Sequence, residues 1–203
     1  RPPIGALGDW CDYYAANPEL LRHVVAAWDP PAAEEPRRIL RFDHGPSDAW
    51  AYLAQRSIYS FVRREPAPDP LFVEESVVNV LTRVIGLAYG ASPVEGARPA
   101  EVVERAREVM ARRFTTRLTL EALSREAGVS LFHLCRLFRA RTGRTLHGYL
   151  NTLRLRASLA PVLDSSDDLS QIALRLGYST HSHFTAAFRR EYGITPSSLR
   201  EAS

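Results

Sequence analysis

The stretch "LEALSREAGVS" (residues 120–130) returns further along the chain as "LSQIALRLGYS" (residues 169–179). Leu120 pairs with Leu169, Leu123 with Ile172, Ser124 with Ala173, Gly128 with Gly177 and Ser130 with Ser179, at an offset of 49. Past the serine the offset becomes 50: Leu134 pairs with Phe184, Phe138 with Phe188, Arg139 with Arg189, Gly143 with Gly193 and Thr145 with Thr195. One residue has been inserted at the turn. A supersecondary unit has been used twice.

Each copy has the chemistry of a helix-turn-helix. A small residue four before the glycine (Ser124, Ala173) lets a second helix pack close. The glycine supplies the positive φ of a tight turn. The serine after it suits a helix N-cap, which assigns that role to Ser130 and Ser179. The second helix is amphipathic, with Leu131, Leu134 and Phe138 in one copy and Phe184, Ala187 and Phe188 in the other.

Between the copies, Tyr149, Leu150, Leu153 and Leu159 recur at helical spacing. Sixteen helical residues would span about 24 Å, enough to hold two reading helices near one DNA turn apart, about 34 Å. Pro161 should kink or end this helix near its last turn. The expected layout is a helix-turn-helix over 119–142, a linker helix over 146–163 and a second helix-turn-helix over 168–192, within a domain of residues 96–203.

The charge follows the same division. Residues 1–100 carry 10 Arg against 13 acidic residues, and residues 101–203 carry 16 Arg against 10. No Lys occurs. A basic half beside an acidic half points to an anionic partner for the second, with nucleic acid the obvious candidate. "ASPVEGARP" (residues 91–99) reads as the linker, and residues 1–95 as a small helical region. Helices are expected within residues 17–28, 46–65 and 69–90, with "DPPAAEEP" and "REPAPDP" as breaks and "IGALGDW" as a short strand. The two cysteines, Cys11 and Cys135, are too few for a disulfide framework and fit a reducing cytoplasm. No run approaches 18 apolar residues, so no membrane span is expected. The chain opens on Arg1 without a secretory leader and reads as a piece of a longer protein.

The residues "LEALSREAGVSLFHLCRLFRARTGRTLHGYLNTLRLRASL" and "DLSQIALRLGYSTHSHFTAAFRREYGITPSSLR" resemble the DNA-binding domain of AraC/XylS-type transcription regulators over about 115–200. The resemblance implies an all-α domain of two helix-turn-helix units on one connecting helix. It implies two recognition helices in adjacent major grooves of promoter DNA, usually to activate transcription. No cofactor is expected. "GDWCDYY" and "DPLFVEESVVNVLTRV" are similar to segments that follow the β-barrel sensor of some members, and the barrel itself is expected to be absent. Residues around Cys11 to Tyr14 would be its remnant or simple packing. RNA polymerase and a second copy, docked through residues 1–95, are candidate partners. No effector follows from the sequence.

Helical geometry then selects the readers. Around Leu134 the sideways and outward positions are Phe132, Cys135, Arg136 and Arg139, and around Phe184 they are Ser182, Thr185, Ala186 and Arg189. Arg136 is the best base reader, because a guanidinium pairs bidentately with guanine. Phe132 would be an exposed aromatic that meets a thymine methyl, and Cys135 a small groove-facing side chain. His181 and Ser182 can donate to bases or phosphates, while Arg189 and Arg190 grip phosphates. Ala186 offers only a methyl, so the second unit is expected to be the less sequence-specific. Thr145 and Thr195 precede short helices whose N–H groups could hold a phosphate. Ser130, Ser179, Thr180, His133 and His183 complete the phosphate and flank set, with each histidine packing on the preceding helix or donating to phosphate.

A metalloenzyme using His181 and His183 is disfavoured, since residues two apart diverge by about 200° on a helix. An Ada-type repair regulator would need four cysteines. A helical adaptor without a DNA role remains the structural alternative. No catalytic constellation is visible.

Overall fold

The computed structural model describes residues 17–35, 38–43, 45–90 and 99–202, all statements below concerning these. Eleven helices follow one another: α1 (Pro18–Val25), α2 (Pro30–Glu34), α3 (Ala49–Arg64), α4 (Pro70–Tyr89), α5 (Pro99–Arg113), α6 (Leu120–Ala127), α7 (Leu131–Thr142), α8 (Leu146–Asp164), α9 (Leu169–Arg175), α10 (His181–Tyr192) and α11 (Pro196–Glu201). No strand occurs among the described residues, and none of their helices is long and apolar enough to cross a membrane. The strand expected at "IGALGDW", the Cys11 to Tyr14 segment and most of the linker at 91–99 lie outside the described residues.

Local sequence sets the helix ends. Asn17, Asp29, Asp48 and Asp69 cap α1 to α4, each carboxylate or amide oxygen accepting a first-turn N–H. The Asp29 cap, with Pro30 behind it, starts a helix inside "DPPAAEEP", a stretch whose prolines suggested only a break. The two helix-turn-helix corners are built alike. Gly128 (φ 68°) and Gly177 (φ 84°) let the next N–H fold back: Val129 donates to the Ser124 carbonyl at 3.1 Å and Tyr178 to that of Ala173 at 3.0 Å.

The caps then diverge. Ser130 accepts from the His133 N–H at 3.3 Å, as expected. In the second unit Thr180, not Ser179, accepts from His183 N–H at 3.1 Å. The residue inserted there pushes Ser179 back into the turn, so Ser130 and Thr180 are the structural equivalents.

Three cores hold the helices. The first gathers Leu71 and Val78 of α4 with Met110, Leu123, Leu134, Phe138, Leu146 and Leu150 of α5 to α8. The second joins Leu155 and Val162 of α8 to Ile172, Ala173, Phe184 and Phe188. The third joins Val24, Val25 and Ile85 to Phe132. Helix α8 therefore ties both units together. Its 19 residues span about 28 Å, and Pro161 lies one turn from the end, where the bond it removes affects only the last turn.

Gly177 is the tightest point. A Cβ there would lie 2.8 Å from the Thr115 carbonyl oxygen and 3.0 Å from Arg154. Gly177→Ala is expected to destabilise the chain by about 2 kcal/mol, from positive φ and the clash together. Gly128→Ala, where the nearest atom stands at 4.0 Å, should cost only the φ penalty. Equal losses in urea denaturation would show that the contact with Thr115 contributes nothing.

Candidate nucleic-acid interface

The repeat places the same N-cap offsets on two helices. In α10 the N1 residue His181 and the N2 residue Ser182 are exposed, as are Ala186, Arg189 and Arg190, and Thr185 is half-buried. Together with Thr195 they line one broad, open groove. Every residue lining it belongs to the second unit. His181 and Thr185 share a hydrogen bond of 3.3 Å, one turn apart. Thr195 caps α11 by accepting from Ser198 N–H at 3.1 Å.

His183 turns away from this face. Its ring stands edge-on to Tyr178, with centroids 5.5 Å apart, and to Phe61 of α3 at 6.2 Å. Burial lowers its pKa, against the pull of Glu65 and Asp69 and with the push of Arg154 and Arg190. The two histidines of "GYSTHSHF" thus go separate ways, one into solvent and one into packing. His133 takes the corresponding flank position of α7, half-buried.

The first unit differs. Arg139 is exposed and Arg136 half-buried, but Phe132 is only 2% and Cys135 5% exposed. The sequence reading made Phe132 an exposed aromatic and Cys135 a groove-facing side chain. Both are covered instead. The indole of Trp28 packs on the Phe132 ring at a centroid distance of 4.9 Å. Asn79 and Thr82 of α4 face Phe132, Cys135, Arg136 and Arg139 across a narrow groove. Burial, and then the charge of Glu75, push the Cys135 thiol well above the usual cysteine range, so it is no nucleophile here.

Thr145 also departs from expectation. It accepts from Gly148 N–H at 3.0 Å and caps the long linker helix, not a short one. The next two N–H groups are taken: Leu146 and His147 donate to the Glu75 carboxylate at 2.6 and 2.9 Å. Leu120 N–H, opening α6, donates to Glu74 at 2.6 Å. Burial raises the pKa of both carboxyls while these bonds hold them down.

Glu74, Glu75 and Trp28 were not singled out from sequence. One signal was present: Glu75 stands in helical phase with Leu71 and Val78, which puts a carboxylate on the buried stripe of α4. An acid in that phase needs a buried donor. Trp28 did stand in helical phase with Leu20, Leu21, Val24 and Val25, but its partner Phe132 depends on tertiary packing.

Comparison with known proteins places the same segment. A helix-turn-helix domain model matches residues 123–202. The HTH-type transcriptional activator RhaS of Escherichia fergusonii is 34% identical over 88 residues, 43% of this chain and 32% of that protein. The HTH-type transcriptional regulator GlxA of Rhizobium meliloti is 41% identical over 85 residues, 40% of this chain and 25% of that protein. The match thus spans a third or less of these relatives' own length. Among solved structures, the C-terminal domain of AraT, a response regulator from Geobacillus stearothermophilus, aligns with a TM-score of 0.49 and 28% identity, over 53% of this chain and 89% of that one. An AraC-type transcriptional regulator from Chromobacterium violaceum aligns at 0.46 and 28%, over 49% and 89%. With the doubled corner, the paired caps and the shared linker helix in place, residues 123–202 are a helix-turn-helix domain of the AraC/XylS type.

Proposed function

We propose that this chain is a sequence-specific DNA-binding transcription regulator, acting as an activator, that inserts α7 and α10 into adjacent major grooves of promoter DNA. The observation that carries this is the doubled N-cap register. Ser130 and Thr180 start helices whose second, fifth, sixth and ninth residues form matching outward sets on one rigid α8. The first set is Phe132, Cys135, Arg136 and Arg139, and the second is Ser182, Thr185, Ala186 and Arg189. Arg136 reads a base; Arg139, Arg189 and Arg190 hold phosphates. His181 adds a donor at the start of α10. Ala186, where the first unit has Arg136, makes the second unit the less selective. The relatives' names support regulation of transcription, and activation in the case of RhaS. In this reading the chain binds and does not catalyse, works in the cytoplasm, meets RNA polymerase, and pairs with a second copy of itself through its first 95 residues.

Selection from a random duplex library at 50 mM salt tests it. Enriched sites should span two adjacent grooves, and their affinity should fall roughly a hundredfold by 200 mM salt if about four phosphates are neutralised. Arg136→Ala should relax preference at one base position, while Arg189→Ala should weaken every duplex about equally. A library that yields no enriched duplex would falsify the reading. Identical behaviour of the two variants would remove the separate roles given to them.

A further inference from the structure

The two reading faces are not equally available. The α10 face is lined by its own unit alone, whereas the Phe132 and Cys135 side of the α7 face lies under α4, α1 and the Trp28 that follows α1. We propose that α1 and α4 form a closed state of the regulator in which they stand in for DNA on the first unit, so that promoter binding requires them to leave. This rests on the DNA-binding reading above and adds its regulation.

The cover matches what a duplex would supply. Where base edges would enter, there is an apolar plug: Trp28 on Phe132, backed by Val24, Val25 and Ile85. Where phosphates would seat, there are carboxylates. Helix N-termini attract anions through their unpaired N–H groups and dipole. Glu75 fills that position at α8 and Glu74 at α6, with contacts of 2.6 to 2.9 Å. Arg139, a phosphate-gripping candidate, lies near enough for its charge to act on Glu75. A major groove needs the outward side of α7 bare. The same side cannot hold Trp28 and a base pair at once.

The character of the contact argues for release. A buried carboxylate costs more than an apolar side chain of the same shape would. Glu75 is 3% exposed, and a Leu there would continue the stripe of Leu71 and Val78. Charge at this place is poor glue and a good competitor for an anion site. The open α10 face lets DNA engage the second unit first, after which phosphates displace Glu74 and Glu75. The observed affinity is the intrinsic affinity reduced by the fraction of open chains. If one chain in ten is open, closure costs about tenfold.

The test uses the 203-residue chain with Cys11→Ser, which leaves Cys135 as its single thiol. Cys135 lies under the cover, so its alkylation rate reports opening. Glu74→Gln with Glu75→Gln removes both charges, and Trp28→Ala removes the plug as a second, independent variant. Circular dichroism confirms that each remains helical. We expect alkylation at least tenfold faster, and a selected duplex bound about tenfold more tightly, in both. Faster alkylation without tighter binding overturns the proposal, as does an unchanged alkylation rate in both variants. If the opened variants bind no duplex at 50 mM salt, the DNA-binding reading itself falls and takes this one with it.

Discussion

Arg154→Ala is expected to destabilise the chain by about 3–5 kcal/mol, the largest loss from any single substitution considered. Arg154 sits on α8 with 2% of its surface exposed. Its guanidinium donates to the Phe114 carbonyl (Nε, 2.7 Å), to the Thr116 carbonyl (3.1 Å) and to the Asp69 carboxylate (3.0 Å), and lies 5.8 Å from the centre of the Tyr178 ring. Alanine would strand two carbonyls and a carboxylate whose side chain is itself largely buried. Two segments, the α4 cap and the α5–α6 connection, lose the donor that ties them to the linker helix, and the second turn loses its ring contact with the guanidinium. Arg154→Lys keeps the charge but offers a single point of donation in place of the fork, and should recover less than half the loss. Urea denaturation at pH 7 measures both. A loss under 1 kcal/mol for the alanine variant would mean that the cluster is solvated and contributes little.

Lowering the pH from 7 to 5 should also loosen the chain, through His147. This residue opens α8 with its ring edge-on to Phe72 of α4, at 5.1 Å between centroids. Its pKa is pushed down to about 4 by burial first, with His183, Arg154 and Arg190 adding to the push and Asp69 opposing it. The unfolded chain binds the proton near pH 6.5, and the folded chain resists it. Stability is therefore full above pH 6.5 and is lost as pH falls toward 4, by up to about 3 kcal/mol. His183 shifts in the same direction and adds to the loss. Glu74 and Glu75 run the other way, because their raised pKa values favour the folded state as pH falls. Comparing the urea midpoint of the wild-type chain with that of His147→Gln at pH 7, 6 and 5 separates these effects. The variant should lose much of the fall. If it falls as steeply as wild type, the dependence belongs to other groups.

The doubled unit was legible in the sequence because each of its parts follows from local chemistry. A glycine that must take positive φ, a small residue four before it and a hydroxyl cap after it are recognisable without knowing what packs on them. The linker helix was legible for the same reason, to within one residue at its end. The exposure of the α10 face followed from periodicity alone, since among the described residues only its own unit lines it. The α7 face did not. Periodicity tells which side of a helix points away from its own unit, and Phe132 does point away. It cannot tell that another part of the chain waits there. The error over Ser179 was of a different kind: an inserted residue admits two alignments, and only hydrogen-bond geometry decides between them.

Phe132 holds two posts. It is an outward residue of the helix proposed to read DNA and also the keystone of the third core, seated against Trp28, Val24 and Ile85. A change there that suited a new operator would at the same time alter how firmly the cover closes. On the proposals above, choice of promoter and strength of regulation would be a single heritable trait at this position, and neither could drift without the other.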